Sequence, residues 1–321
     1  MEASLVDEVL ACLADERSLF QYFPDRYALA LLEKSLKQDE KEEQDIAAIR
    51  KGPYGKLMQR PVLKQLLSGQ GNGKLSAWDL YRVCPEQQYS YVLGLGRWGS
   101  KKDYRWDQMS RPGENLVLQL NFNRAHDHQF DRTLGMDKRE FNGWYHPTDQ
   151  NGRCTLAWAR LDLDLNAGQA LIEEIQTDWL RDVQRLHKHY LAALKREAKH
   201  FYFWGYELSV EKAEHYCKQT LAEHRLWQEA MLTAALEFLW QVIGIHDVYY
   251  HSYETGKALK NINSDGPPRS LYSELPKRFC FQLQARGPEW IEECKPARKR
   301  LNKLKQGAAW YRLNFEDART C

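Results

Sequence analysis

No stretch of this 321-residue sequence approaches the roughly 20 consecutive apolar residues that a membrane-spanning helix requires, so no membrane role is expected. The start, Met1 to Arg17, carries five acidic residues and no long apolar run, unlike a secretory signal peptide. No C-x-x-C occurs. The seven cysteines stand singly at 12, 84, 154, 217, 280, 294 and 321, an odd and scattered set that implies reduced thiols and a cytoplasmic protein. Charge of one sign is also lacking. A formal net charge of +2 gives no global nucleic-acid signature. P-loop, G-x-G-x-x-G, H-E-x-x-H and G-x-S-x-G patterns are missing, which removes the best-marked nucleotide, metalloprotease and serine-hydrolase readings. Nothing in the sequence names a cofactor.

What is present centres on Gln169 to Trp179, Q-A-L-I-E-E-I-Q-T-D-W. Leu171, Ile172 and Ile175 form an apolar strand that runs directly into a helix near Trp179. Asp178 is placed to cap that helix. Glu173, Glu174, Gln176 and Asp178 straddle the C-terminal end of the strand, where ligands bind in open α/β sheets.

The preceding strand, Cys154 to Leu165, alternates Leu161, Leu163 and Leu165 with Asp162 and Asp164, and it carries Arg160. A tight turn at Asn166-Ala167-Gly168 makes Arg160 and Glu174 cross-strand neighbours, able to form an ion pair.

Several of these stretches carry a resemblance. Glu174 to Trp179 resembles the E-I-Q-[ST]-D-W motif of a family found in phage and prophage proteins, often as a domain of large polyvalent proteins. Leu156 to Leu161 is similar to that family's L-A-H-V-R-F strand. Leu226 to Glu229 is similar to its T-W-H-E helix start, and Leu271 to Lys277 to its Y-D-x-x-L-P-K. The matches keep their order over residues 156 to 277. Thr233-Ala234 stand where the family has K-R, and Leu180 where it often has His. The resemblance implies a phage or prophage setting rather than a particular reaction.

Residues 1 to 85 read as short helices, a small N-terminal region that is either a winged-helix-like module or a cap on the main domain. From residue 86 to 321 strands and helices mix. Strands fall at Tyr89–Leu95, at Asn115–Phe122 and at Asp247–His251. A core helix covers Trp227 to Val242, the chain after Pro276 is extended, and an edge strand lies within Ala308 to Phe315. The fold class expected is α+β or α/β: a mixed sheet with packed helices, preceded by the helical region and carrying a helical insertion over 180 to 225. The 11 tryptophans and 17 tyrosines either fill the core or build stacking surfaces. Asn123 to Asn151 lacks periodicity. Its His126-Asp127-His128 invites a metal reading, but spacing supplies no third ligand and the stretch reads as a polar surface loop.

The expected site gathers Glu174, Gln176, Asp178 and Arg160 as catalytic residues. Arg97, Trp98, Trp179, Trp227, Glu229, His251 and Glu254 are the expected substrate contacts. Arg181, Arg185, Lys188 and Lys195 give the insertion a basic face, either solvated or lying on nucleic acid. Carboxylates near an Arg and a His suit acid–base work. The element order is compatible with an acetyltransferase-like fold of the GNAT type, although E-I-Q-T-D-W-L-R lacks the usual pyrophosphate-loop glycines. An ADP-ribosyltransferase-like reading uses Glu174 as catalytic acid with Arg97 or Arg160 gripping a dinucleotide. The function expected is therefore an enzyme, transferase-like, acting on a nucleotide, nucleic acid or cofactor-borne group. The alternatives are a binding or inhibitory protein, in which the acidic motif is a structural lock and a protein is the partner, and a nucleic-acid-binding accessory.

Overall fold

A computed structural model describes residues 1–13, 18–36, 43–99, 107–143, 146–149, 152–262 and 268–315. Eight strands form one mixed sheet: β1 (Leu19–Tyr22), β2 (Tyr89–Trp98), β3 (Asn115–Asn121), β4 (Thr155–Asp164), β5 (Gln169–Gln176), β6 (Asp247–His251), β7 (Gln282–Gln284) and β8 (Trp310–Asn314). Their spatial order is β1-β2-β3-β4-β5-β6-β8-β7. Neighbours are antiparallel except β5 and β6, which are parallel. That parallel pair needs a long crossover, supplied by residues 177 to 246.

The principal helices are α1 (Ala3–Leu13), α2 (Arg26–Leu36), α3 (Arg124–Leu134), α4 (Trp179–Leu194), α5 (Val210–Glu223), α6 (Trp227–Glu237), α7 (Tyr253–Leu259) and α8 (Arg269–Arg278). The expected insertion is thus α4 and α5, joined by a small hairpin of strands 200–203 and 206–209. After α6 the chain loosens into a π-turn over 238–243. It stops at Gly244, whose φ of +83° only glycine adopts easily.

The alternating sequence of β4 gives the sheet two unlike faces. Ala157, Ala159, Leu161 and Leu163 join α6 and the N-terminal helices in the main hydrophobic core. Trp158, Arg160 and Asp162 face the other way. Val117 and Gln119 of β3 lie opposite Arg160 and Trp158 and share that polar face.

Three expectations change. Asn123–Asn151 is not simply a loop. Asn123 caps α3 by accepting from the His126 amide at 3.1 Å, and short-range capping hides in a sequence with so few apolar residues. Pro276 does not end its helix but lies inside α8. The strand near the C-terminal end, β8, is not an edge strand, because β7 pairs outside it. In addition, β1 and α2 share the main core with the sheet, so the N-terminal region is built into it.

Candidate active site

A β-bulge organises the motif. Arg160 pairs with Glu174, but the next residue, Leu161, pairs with Ile172, so Glu173 is the extra residue of β5. A bulge sends two consecutive side chains to one face. Glu173 and Glu174 therefore both enter the polar face, where strict alternation would have driven one of them into the apolar core.

There they are buried and fully engaged. Glu174 forms an ion pair with Arg160, whose side chain is 2% exposed. Arg160 also donates to the carbonyls of Asp107 (2.7 Å) and Gln108 (3.0 Å), and lies between the rings of Trp98 and Trp158. Glu173 accepts from the Ser110 amide, from Ser110 Oγ at 2.8 Å and from His251 Nε2 at 2.7 Å. Lys260 Nζ donates to the Glu173 carbonyl at 2.9 Å, just beyond the last paired residues of β5 and β6. Arg111 grips Asp162 with two 2.7 Å hydrogen bonds. The row thus fastens residues 107–111 over the polar face.

Burial raises Glu173 and Glu174, yet the opposing contacts outweigh it. His251, Lys260 and Arg160 bring Glu173 down to about 2, and Lys260 and Arg160 hold Glu174 below its usual range. Burial pushes both His251 and Lys260 down, so His251 is neutral and donates from Nε2 to Glu173.

Ser110, His251 and Glu173 superficially suggest a nucleophilic triad. Geometry rejects it. Acid and hydroxyl both meet the same ring nitrogen, whereas a relay needs one on each, and Ser110 is 1% exposed.

The accessible end of the motif differs. Beyond Glu174, Gln176 and Asp178 meet His146. Asp178 Oδ2 lies 2.8 Å from His146 Nδ1 and accepts from Trp158 Nε1 at 3.2 Å. Its other oxygen accepts from Gln176 Nε2 at 2.8 Å and lies 3.5 Å from Arg181. Burial raises Asp178, but the His146, Gln176 and Trp158 hydrogen bonds more than offset that and lower it. An ionised carboxylate only accepts, so Nδ1–H of His146 donates to Asp178, with Gln176 Nε2 3.3 Å from the same Nδ1, and Nε2 is the ring nitrogen that Asp178 does not engage. The side chain of His146 remains 22% exposed.

Its position is set from β2 and β3. A Cβ at Gly94 or Gly96 would come within 2.9 or 3.2 Å of the Gln119 side chain. These glycines therefore leave room for Gln119 to donate to the Pro147 carbonyl at 2.9 Å, next to His146. No spacing rule joins His146 to Asp178, so the sequence alone assigns His146 no role.

Other expected residues separate. Asp178 is not a side-chain cap. The cap is Thr177, whose Oγ1 accepts from the Leu180 amide at 3.2 Å, because the Asp178 carboxylate is turned to His146. Trp98 reaches the site, with its ring 6.4 Å from that of His146. Arg97, one residue away, faces the opposite side and pairs with Asp7 and Glu114. Trp179 is buried against Phe122, Phe130 and Phe141. Trp227 and Glu229 lie on α6, across the sheet, where Glu229 accepts from Tyr22 at 3.0 Å and from Arg278. His251 is wholly buried. Glu254 is solvent-exposed, 3.8 Å from Arg269, because α7 turns it outward.

Arg181, Arg185 and Lys188 are exposed on α4, and Lys195 is exposed at its C-cap. Steps of four, three and seven put them on one helical face. Arg181 and Arg185 pair with Asp178 and Asp182. Among the described residues, no helix is long and apolar enough to cross a membrane. Compared with family models, curated proteins and solved structures, the chain matches none.

Proposed function

We propose that the chain is an acid–base enzyme of a phage or prophage setting, transferring a group on a nucleotide or nucleic acid, with His146 as the base and Asp178 orienting it. The observation that carries this reading is the 2.8 Å His146–Asp178 pair, with His146 partly open to solvent at the C-terminal end of β5. Trp98 offers a partly exposed ring for stacking. The basic stripe of α4 begins at Arg181, beside Asp178, and supports a polyanionic substrate.

Glu174 and Arg160 are positioning residues in this scheme, since both are buried and engaged with each other. The acetyltransferase-like version loses ground at the start of α4. A pyrophosphate there would meet two buried carboxyls, Asp178 and Asp182, without a glycine to admit it. The ADP-ribosyltransferase-like version loses its free acid and its free arginine, since Glu174 pairs with Arg160 and Arg97 with Asp7.

A second reading is a non-catalytic binding protein in which the whole motif is a lock, and the engaged Glu173–His251–Ser110 group favours it. His146→Gln separates the two. The enzyme reading expects turnover of one donor class, among nucleotides, NAD, acetyl-CoA and oligonucleotides, to fall by about 10²-fold or more with folding intact. The lock reading expects no turnover by either protein.

A further inference from the structure

A second polar cluster lies where α3 meets the start of β4, against the buried ring of Trp179 that ends the motif. His126 and Asp127 occupy the first turn of α3, and Cys154 immediately precedes β4. One ligand atom of each, the imidazole nitrogen, a carboxylate oxygen and the sulfur, lies within 4.8 Å of the others. His126 Nδ1 and Asp127 Oδ1 face each other at 3.7 Å. Both atoms are buried and neither has a hydrogen-bond partner among the described residues. Buried polar atoms are rarely left so. His126 as a residue is only 7% exposed, and Cys154 is fully buried.

The imidazole is not free to turn its idle nitrogen elsewhere. Phe122 stacks on it at 3.6 Å, with ring planes 9° apart. Its Nε2 lies 3.2 Å from the Tyr216 hydroxyl, which in turn accepts from Trp179 Nε1 at 2.9 Å. Packing on one side and a hydrogen bond at Nε2 therefore aim Nδ1 at the carboxylate and thiol.

We propose that His126 Nδ1, Asp127 and Cys154 Sγ bind one zinc ion. The donor set of imidazole, carboxylate and thiolate is that of a borderline-soft cation and disfavours magnesium and calcium, which take oxygen ligands. Ligand bonds of about 2.0–2.3 Å in a tetrahedron separate neighbouring ligand atoms by about 3.3–3.8 Å, and the His126–Asp127 spacing already falls there. On binding, the Cys154 thiol releases its proton to solvent. Thiolate and carboxylate together then balance the two positive charges of the ion. Tyr216 is the outer partner that fixes a metal-bound imidazole, accepting from Nε2–H. Three protein ligands leave one position for water. Lys138 is the nearby cation, whose charge acts on all three groups and is countered by Asp131, 2.8 Å from its Nζ. His146 lies between Asp127 and Cys154 in the chain, so the ion fastens both ends of the segment that carries it.

The test is metal content and cobalt spectroscopy on the full chain, purified without a histidine tag or chelator. The proposal expects about one equivalent of zinc per chain. It also expects that titrating the apo-protein with cobalt(II) produces tetrahedral visible bands and a thiolate-to-cobalt charge-transfer band in the near ultraviolet. Cys154→Ser abolishes the charge-transfer band, and Asp127→Asn weakens metal retention while leaving the far-ultraviolet circular dichroism unchanged. Wild-type protein that holds no zinc and gives no charge-transfer band overturns the proposal, whether or not the variants fold. A charge-transfer band that persists in Cys154→Ser overturns it equally, by moving the site to another cysteine. These readouts do not involve turnover, so their failure is distinct from failure of the acid–base reading.

Discussion

Glu174 and Asp178 stand four residues apart in one motif and do different work. Glu174 is sealed against Arg160 under residues 107 and 108, while Asp178 faces a histidine that solvent reaches. Losing one half of a buried ion pair strands the other charge, an effect of about 3–5 kcal/mol. Glu174→Gln is therefore expected to lower the unfolding free energy by about 3 kcal/mol, measured by urea denaturation. His146→Gln leaves Asp178 held by Gln176 and Trp158 and keeps an amide that can donate to it, so it should change the unfolding free energy by about 1 kcal/mol or less. An equal effect of the two would mean that both halves of the motif are structural. Arg160 opposite Glu174 was legible from the two strands and the turn between them, because cross-strand distance follows from counting. The His146–Asp178 pair was not, because it joins residues 32 positions apart through a segment with no periodic signal.

Among the elements, the junction between β5 and α4 shows how a correct outline can hide the wrong detail. A helix starting near Trp179 is visible in the sequence, and so is a polar residue to cap it. Either Thr177 or Asp178 satisfies that rule, and tertiary demand decides between them. His146, Gln176 and Trp158 engage the aspartate, leaving the threonine hydroxyl for Leu180. Thr177 Oγ1 also donates to the Leu156 carbonyl at 2.5 Å, tying the helix start to β4. Thr177→Ala is expected to destabilise the fold by about 1–2 kcal/mol, seen as a lowered Tm, whereas Thr177→Ser retains most of the stability. No loss in Thr177→Ala would return the cap to Asp178. The bulge at Glu173 was likewise beyond sequence reading. Nothing in I-E-E-I says which glutamate is the extra one, since the choice is made by Arg160 and Ser110 from other segments.

At the scale of the whole molecule, the sheet with its one parallel pair follows from hydrophobic alternation and the long crossover, and the expected α+β or α/β class holds. The joining of residues 1–85 to that sheet did not follow, because β1 is four residues long and has an edge strand's weak pattern. The shared core has a consequence for acid stability. Burial, with His126 nearby, drives His224 down to about 3. An unfolded histidine takes up its proton near pH 6.5, while folded His224 stays neutral until about pH 3. The unfolded state therefore binds more protons between those values, and stability falls as pH drops through that window. Glu173, held at about 2, adds to the loss below its unfolded value of about 4.3. Tm is expected to fall from pH 7 toward pH 4, with a shallower slope in His224→Gln. An unchanged slope would show that His224 is protonated in the fold.

Proton transfer at the accessible end of the motif is the proposed chemistry. It is tested most directly by following turnover of the ligand panel, by chromatography, in wild-type and His146→Gln proteins of matched Tm. Wild type is expected to consume one donor class, and His146→Gln to be slower by about 10²-fold or more. Turnover unchanged by His146→Gln would contradict it, as would a wild type that neither binds nor turns over any member of the panel.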